Sequence, residues 1–117
     1  MYKQFYNRVH AVQENITKKI LLVEGEQCEA QLEQTKLEEL GYEVIVAHNR
    51  KEALKIINET NKIDVILMNI HLEVGIDGIE TAKEILNYYT LPIIFLSQHS
   101  EPDIVKKIEC IDYYGYI

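Results

Sequence analysis

The chain has 117 residues, an ordinary length for one domain built around one hydrophobic core. Hydrophobic residues make up 47% of it and charged residues 26%, which is typical of a globular protein and not of a disordered one. The formal net charge of −7 argues against nucleic-acid binding by this domain, because phosphate contacts need a basic surface.

The sequence also indicates a cellular compartment. No stretch approaches the roughly 20 apolar residues of a membrane span, and the N-terminal part lacks the apolar core of a signal peptide. Cys28 and Cys110 belong to no CxxC or Cys/His ligand pattern, so both are interpreted as free thiols in a reducing compartment. We therefore expect a cytoplasmic protein with no membrane partner.

Residues 1–17 have the pattern of an amphipathic helix. Polar and charged residues separate apolar side chains that recur at helical spacing, namely Tyr2, Phe5, Tyr6, Val9, Val12 and Ile16. Two interpretations stay open for this N-terminal helix. It could pack on its own domain, or it could serve as a connector or dimerisation helix.

The remaining chain alternates short apolar runs with helical patterns. The predicted strands are Lys19–Val23, 42–47, Val65–Asn69, 92–96 and a fifth that begins at Gly115; the predicted helices are 26–40, 49–60, 78–89 and 101–108. The helix at 26–40 is unusually polar, its main apolar positions are Cys28, Leu32, Leu37 and Leu40, and Gly41 ends it in the C′ position. This alternation predicts an α/β fold with a doubly wound parallel sheet.

Functional side chains of such a sheet are expected where its strands end, at their carboxyl termini. Those positions hold Glu24 with Gly25 and Glu26, then Asn69, then Ser97. The sequence has no glycine-rich phosphate loop, no nucleophile elbow and no helical pair of histidines for zinc. The four histidines are scattered and are interpreted as surface or loop residues: His10, His48, His71 and His99.

Six segments in this order resemble the receiver domain of two-component response regulators. They are ILLVEGE (20–26), ELGYEV (39–44), DVILMNIHL (64–72), DGIE (77–80), LPIIFLS (91–97) and YGYI (114–117). The resemblance covers residues 19–117 and implies a flavodoxin-like five-stranded sheet of order 2-1-3-4-5. In that family an aspartate after strand three accepts a phosphoryl group from a histidine kinase, and acids after strand one help it to bind Mg²⁺.

Several residues of this chain match the family's site. The resemblance assigns Glu24 to the first acid, Ser97 to the hydroxyl that contacts the phosphoryl group, and Tyr116 to the switch aromatic. The backbone carbonyl of His71 matches a metal ligand. The family's lysine after strand five would lie beyond Ile117.

Two positions depart from the family. The acceptor position is Asn69, whose neutral amide cannot form a normal acyl phosphate, and the second acid is replaced by Gly25. A divalent ion would then meet Glu24, with Glu26 as a substitute carboxylate and Asn69 as a neutral ligand. Because Mg²⁺ prefers carboxylate oxygens, we expect weak Mg²⁺ binding at best and no other cofactor.

The family's fifth helix is not part of this sequence. We therefore expect residues 18–117 to form a receiver-like domain that lacks its last helix, with apolar sheet residues left exposed. The N-terminal helix or a partner chain would cover them. A homodimer through that helix or through the exposed sheet face is one expectation.

The leading hypothesis is a pseudo-receiver, a signalling domain without enzymatic activity that is not phosphorylated and acts through protein partners. The partners expected are a histidine kinase, an output domain or a second copy. One alternative is a phosphorelay receiver with weak acceptor activity through Glu24, Glu26 or Asp77. Another is a small-molecule-binding domain on the same fold.

Overall fold

The computed structural model describes residues 17–60, 62–72, 77–96 and 115–116. The strands are β1 (Lys19–Val23), β2 (Glu43–Ala47), β3 (Val65–Asn69), β4 (Ile93–Leu96) and β5 (Gly115–Tyr116). The helices are α1 (Gln27–Glu39), α2 (Arg50–Glu59) and α3 (Asp77–Tyr88). The predicted helices at 1–17 and 101–108 lie outside the described residues, except for Thr17.

The five strands form one parallel sheet in the order β2-β1-β3-β4-β5, so the predicted order 2-1-3-4-5 is confirmed. Val23 at the end of β1 pairs with Met68 of β3, and Asn69 pairs with Leu96 of β4. The carboxyl ends of β1, β3 and β4 therefore meet at one edge of the sheet, here called the carboxyl edge. The opposite edge, where these strands begin, is called the amino edge.

Alternate residues of the strands serve two hydrophobic clusters. One side of the sheet packs against α2 and α3, with Ala53, Ile57, Ile79 and Ile85 buried over the strands. The other side packs against α1 through Leu37. Strands that are buried on both faces need apolar residues at successive positions, which explains the unbroken run Val65–Met68.

The buried face of α1 differs from the apolar positions seen in the sequence. Cys28 is exposed, Leu32 is 57% exposed and Leu40 is 40% exposed, whereas Ala30 and Leu37 are buried. The two buried residues are seven positions apart, so they form a narrow stripe on one side of the helix. The small Ala30 lets the helix approach the sheet beside Leu37, whereas Leu32 and Leu40 face solvent.

The residues of β1, β3 and β4 on the α1 side of the sheet are buried. Their exposure is 0–7%: Ile20, Leu22, Val65, Leu67, Ile94 and Leu96. Coverage of this face by the N-terminal helix, and a homodimer through either of them, stay predictions, because residues 1–16 lie outside the described part of the chain.

The ends of the helices follow from their caps. The Glu26 side chain accepts a hydrogen bond from the backbone N–H of Glu29, and the Asn49 side chain accepts one from Glu52, so these residues cap α1 and α2. Gly41 has φ of +100°, a left-handed conformation that favours glycine, as expected from its predicted C′ position. No described helix is long and apolar enough to cross a membrane.

Candidate functional site

Glu24 lies at the carboxyl edge, immediately after β1. Its backbone N–H donates to the carbonyl of Ala47 at 2.9 Å, which extends the pairing of β1 with β2. The residue is only 3% exposed, so its carboxylate needs partners inside the protein. One oxygen accepts from the backbone N–H of Glu26 at 3.1 Å, and the other accepts from Nδ2 of Asn69.

Asn69 uses both ends of its amide. Nδ2 donates to the Glu24 carboxylate, and Oδ1 accepts from the backbone N–H of His71 at 2.9 Å. An aspartate in the same place could accept from His71 but could not donate to Glu24, because an ionised carboxylate has no proton to give. Asn69 therefore joins β1 to the loop after β3 without a cation between two carboxylates.

Gly25 lies against the loop that follows β3. A Cβ atom on this residue would meet the carbonyl oxygen of Leu72 and would lie 2.8 Å from its carbonyl carbon and 3.2 Å from its Cα. Gly78 packs in the same way, because a Cβ there would lie 2.8 Å from Cα of Ile70. The backbone of this loop thus occupies the place that a side chain at position 25 would need.

Glu26 has a structural task of its own. One carboxylate oxygen accepts from the backbone N–H of Glu29 at 2.6 Å, which satisfies one of the free N–H groups at the start of α1. Its own N–H donates to Glu24. To serve as a substitute metal ligand, Glu26 would have to leave the helix that it caps.

His48 is a neighbour that sequence reasoning missed. It was interpreted as a loop or surface residue, and it does lie in the loop after β2, but it is half-buried. Nδ1 lies 3.1 Å from the backbone carbonyl oxygen of Glu24, and its backbone N–H donates to Glu52 at 3.0 Å. The signal available in the sequence was the strand order, which puts the end of β2 beside the end of β1.

The structure thus brings together three predicted site residues, Glu24, Gly25 and Asn69, with Glu26 beside them. The backbone N–H of His71 contacts Asn69; the predicted role of its carbonyl stays a prediction. Ser97 lies outside the described residues. Tyr116 belongs to β5, where its backbone pairs with Phe95, and its side chain is not described.

The donor atoms of this site do not suit Mg²⁺. The ion takes oxygen ligands, mostly carboxylates and waters. Among the described side chains here, Glu24 and Glu26 supply the carboxylates, and both already accept hydrogen bonds. Asn69 turns an N–H group toward that carboxylate, and Gly25 supplies no side chain. In the described part of the chain, no three His, Cys, Asp or Glu side chains come together as a potential metal-binding group.

A doubly wound parallel sheet with a buried acid after β1 and a polar residue after β3 defines the class of α/β signalling domains called receivers. Residues 20–117 match the response regulator receiver domain family, so the chain belongs to that family. Receiver domains are signalling modules of two-component systems, and response regulators interact with kinases and output domains. The resemblance stated from the sequence is thereby confirmed.

Relatives and solved structures agree with this family. The phyllosphere-induced regulator PhyR of Methylorubrum extorquens is 35% identical over 83 residues, which cover 70% of this chain and 31% of that protein. The N-terminal domain of a response regulator/sensory box/GGDEF 3-domain protein from Carboxydothermus hydrogenoformans is 38% identical with a TM-score of 0.75, covering 85% of this chain and 79% of that one.

A further solved structure contains a metal. The response regulator TrrA of Thermotoga maritima, in complex with Mg(2+)-BeF, is 32% identical with a TM-score of 0.73, covering 86% of this chain and 85% of that one. The present chain spans only about a third of the length of the curated relatives it matches.

Proposed function

We propose that this domain is a pseudo-receiver, which is not phosphorylated and acts by binding protein partners. The observation that carries the proposal is the hydrogen bond from Nδ2 of Asn69 to the buried carboxylate of Glu24. At the position where a receiver has its nucleophilic carboxylate, this chain has the Asn69 amide, which donates a hydrogen bond instead. The domain then has no enzymatic step to perform.

The chemistry of the amide supports this proposal. A carboxylate oxygen attacks phosphorus as an anion, whereas the amide oxygen of Asn69 is neutral and already accepts a hydrogen bond from His71. Two of the three other carboxylates considered as acceptors are engaged. Glu24 is buried and accepts two hydrogen bonds, and Glu26 caps α1.

Weak or absent Mg²⁺ binding follows from the same contacts. In a receiver with three acids, the cation holds negative groups together. Here the Asn69 amide takes over that task, since it supplies a proton donor to Glu24 and needs no counter-charge. We propose that Glu24, Gly25 and Ser97 are remnants of a phosphoryl site, and Tyr116 of its switch, kept because they fit the fold.

The partners we propose are a histidine kinase, an output domain or a second copy of the chain, and we place the domain in the cytoplasm. Residues 18–117 would form the receiver-like unit, with the segment 1–17 as a helix that packs on it or joins two copies. The fixed hydrogen bonds at the carboxyl edge would hold one conformation, so regulation would come from the bound partner.

The direct test is incubation with acetyl phosphate and Mg²⁺, followed by intact mass and by peptide mapping. We expect no gain of a phosphoryl group by the wild-type chain. The matched variant is Asn69→Asp, which restores the carboxylate at the acceptor position. A stable phosphoryl group on the wild-type chain, mapped to Glu24, Glu26 or Asp77, would overturn the proposal in favour of a phosphorelay receiver.

A further inference from the structure

A pocket of about 200 Å³ lies at the amino edge of the sheet, away from the site described above. It is lined by Ile57, Asn58, Thr60, Ile63, Tyr89 and Leu91. Ile63 and Leu91 precede β3 and β4, and the remaining residues belong to the ends of α2 and α3 or follow them directly. Aliphatic side chains form its walls, and polar groups of Asn58, Thr60 and Tyr89 lie among them.

The pocket offers two acceptor oxygens to a ligand that donates hydrogen bonds. The hydroxyl of Tyr89 donates its proton to Oδ1 of Asn58, so the remaining lone pairs of both oxygens can only accept, while Nδ2 of Asn58 remains a donor. Both helices also end here. The last carbonyls of a helix have no intrahelical partner, apart from those of Ile56 and Ile85, which accept from Thr60 and Tyr89.

The same helix ends set the sign of the electrostatic potential at the pocket. A helix carries a partial negative charge at its carboxyl end, and neither α2 nor α3, both fully within the described residues, has a basic residue in its last turn. The exposed charges next along the chain, Glu59 and Lys62, have opposite signs. The two helix ends therefore make the pocket attractive to a cation.

The exposure of Tyr88 also favours a binding surface at the amino edge. Tyr88, next to the pocket-lining Tyr89, is 76% exposed and exceeds every other large apolar side chain of the described residues in exposure. Exposed aromatic residues are typical of protein interfaces, where tryptophan, tyrosine and arginine are enriched among the residues that contribute most to binding.

We propose that this pocket binds an arginine side chain of a partner protein. The aliphatic stem would lie against Ile57, Ile63 and Leu91, and the guanidinium group would donate to the oxygens of Tyr89 and Asn58. Arginine suits this site better than lysine because its five N–H groups reach several acceptors and its plane stacks on an aromatic ring. The inference goes beyond the proposed function and does not depend on it.

The test is an NMR titration of the full ¹⁵N-labelled chain with Nα-acetyl-arginine amide. The control ligand is Nα-acetyl-citrulline amide, which has the same shape without the charge. We expect saturable shifts at the amides of Ile57, Thr60, Ile63 and Tyr89, with a Kd on the order of 10 mM for so small a ligand. The citrulline ligand should bind at least about 5-fold more weakly because it lacks the charge.

A pair of variants makes the test specific to the pocket. Thr60→Lys puts a cation at its margin and should abolish the shifts, whereas Gln31→Lys makes the same change of charge on the exposed side of α1 and should leave them unchanged. The proposal is overturned if citrulline binds as well as arginine, if Nα-acetyl-glutamate amide binds better, or if the arginine shifts spread over the acidic surface or do not occur.

Discussion

The polar groups at the two edges of the sheet differ in their partners. At the carboxyl edge, Glu24 and Asn69 satisfy each other inside the chain, and the backbone of Leu72 fills the space beside Gly25. At the amino edge, a pocket stays open between two helix ends, next to the exposed Tyr88. Receivers hold their chemistry at the first edge. In the described part of that edge, the two polar side chains bond to each other, and we propose that binding takes place at the second edge instead.

The largest effect is expected for Asn69→Asp without divalent ions. The variant removes the donor to Glu24 and places a second negative charge against it, so unfolding free energy should fall by about 2–4 kcal/mol. Urea unfolding in EDTA measures this loss. Gln31→Glu is the control, because it makes the same change from amide to carboxylate at an exposed position inside α1, and it should change stability by less than about 0.5 kcal/mol. Equal effects of the two variants would contradict the bond between Asn69 and Glu24.

Gly25→Ala tests the close approach of the two loops. A methyl group at this position meets the carbonyl of Leu72, so the backbone must shift, at a cost of about 1–3 kcal/mol. Gly41→Ala offers a comparison, because Gly41 has φ of +100° but no atom within 4 Å of the added Cβ. That variant should lose only about 1 kcal/mol from backbone strain. Chemical denaturation measures the unfolding free energy of both variants. If Gly25→Ala is as stable as the wild-type chain, the close packing against Leu72 is refuted.

The role of Glu26 can be separated from metal binding. Glu26→Ala removes the cap of α1 and should cost about 1 kcal/mol, as should Asn49→Ala at the start of α2. If Glu26 acts only as a cap, both losses stay the same when Mg²⁺ is added. A loss at Glu26→Ala that grows with Mg²⁺ while Asn49→Ala stays constant would show that Glu26 is a metal ligand.

The smallest effect is expected at the amino edge. Tyr88→Ser removes an aromatic ring that is largely in solvent, so the unfolding free energy should change by less than about 0.5 kcal/mol. Thermal unfolding under identical conditions measures it. A loss above about 1 kcal/mol would mean that Tyr88 belongs to the core and not to a binding surface.

Local patterns predicted most of the fold. Unbroken apolar runs and helical spacing located the described strands and helices to within about one residue at each end. The apolar positions of α1 did not predict its buried face, because side-chain size and the distance to the sheet decide burial there. Ala30 is buried, whereas Leu32 is not. A helix with so few apolar residues carries little periodic signal.

The candidate site was predictable only in part. Glu24, Gly25 and Asn69 were found from their positions at strand ends and from the family resemblance. Their contacts were not, because they depend on the register that pairs Val23 with Met68 across 45 residues of sequence. The contact of His48 depends on the register of β1 with β2, and the space filled by Leu72 depends on the register of β1 with β3. Neither leaves a local pattern in the sequence.

We propose that the Asn69 amide replaces a cation between β1 and β3. The decisive measurement is the melting temperature of the wild-type chain and of Asn69→Asp, each in EDTA and in excess Mg²⁺. An ion that binds only the folded state raises the melting temperature. We expect Mg²⁺ to leave the wild-type chain unchanged and to restore part of the loss in Asn69→Asp. A wild-type melting temperature that rises with Mg²⁺, while that of the variant does not, would contradict the account.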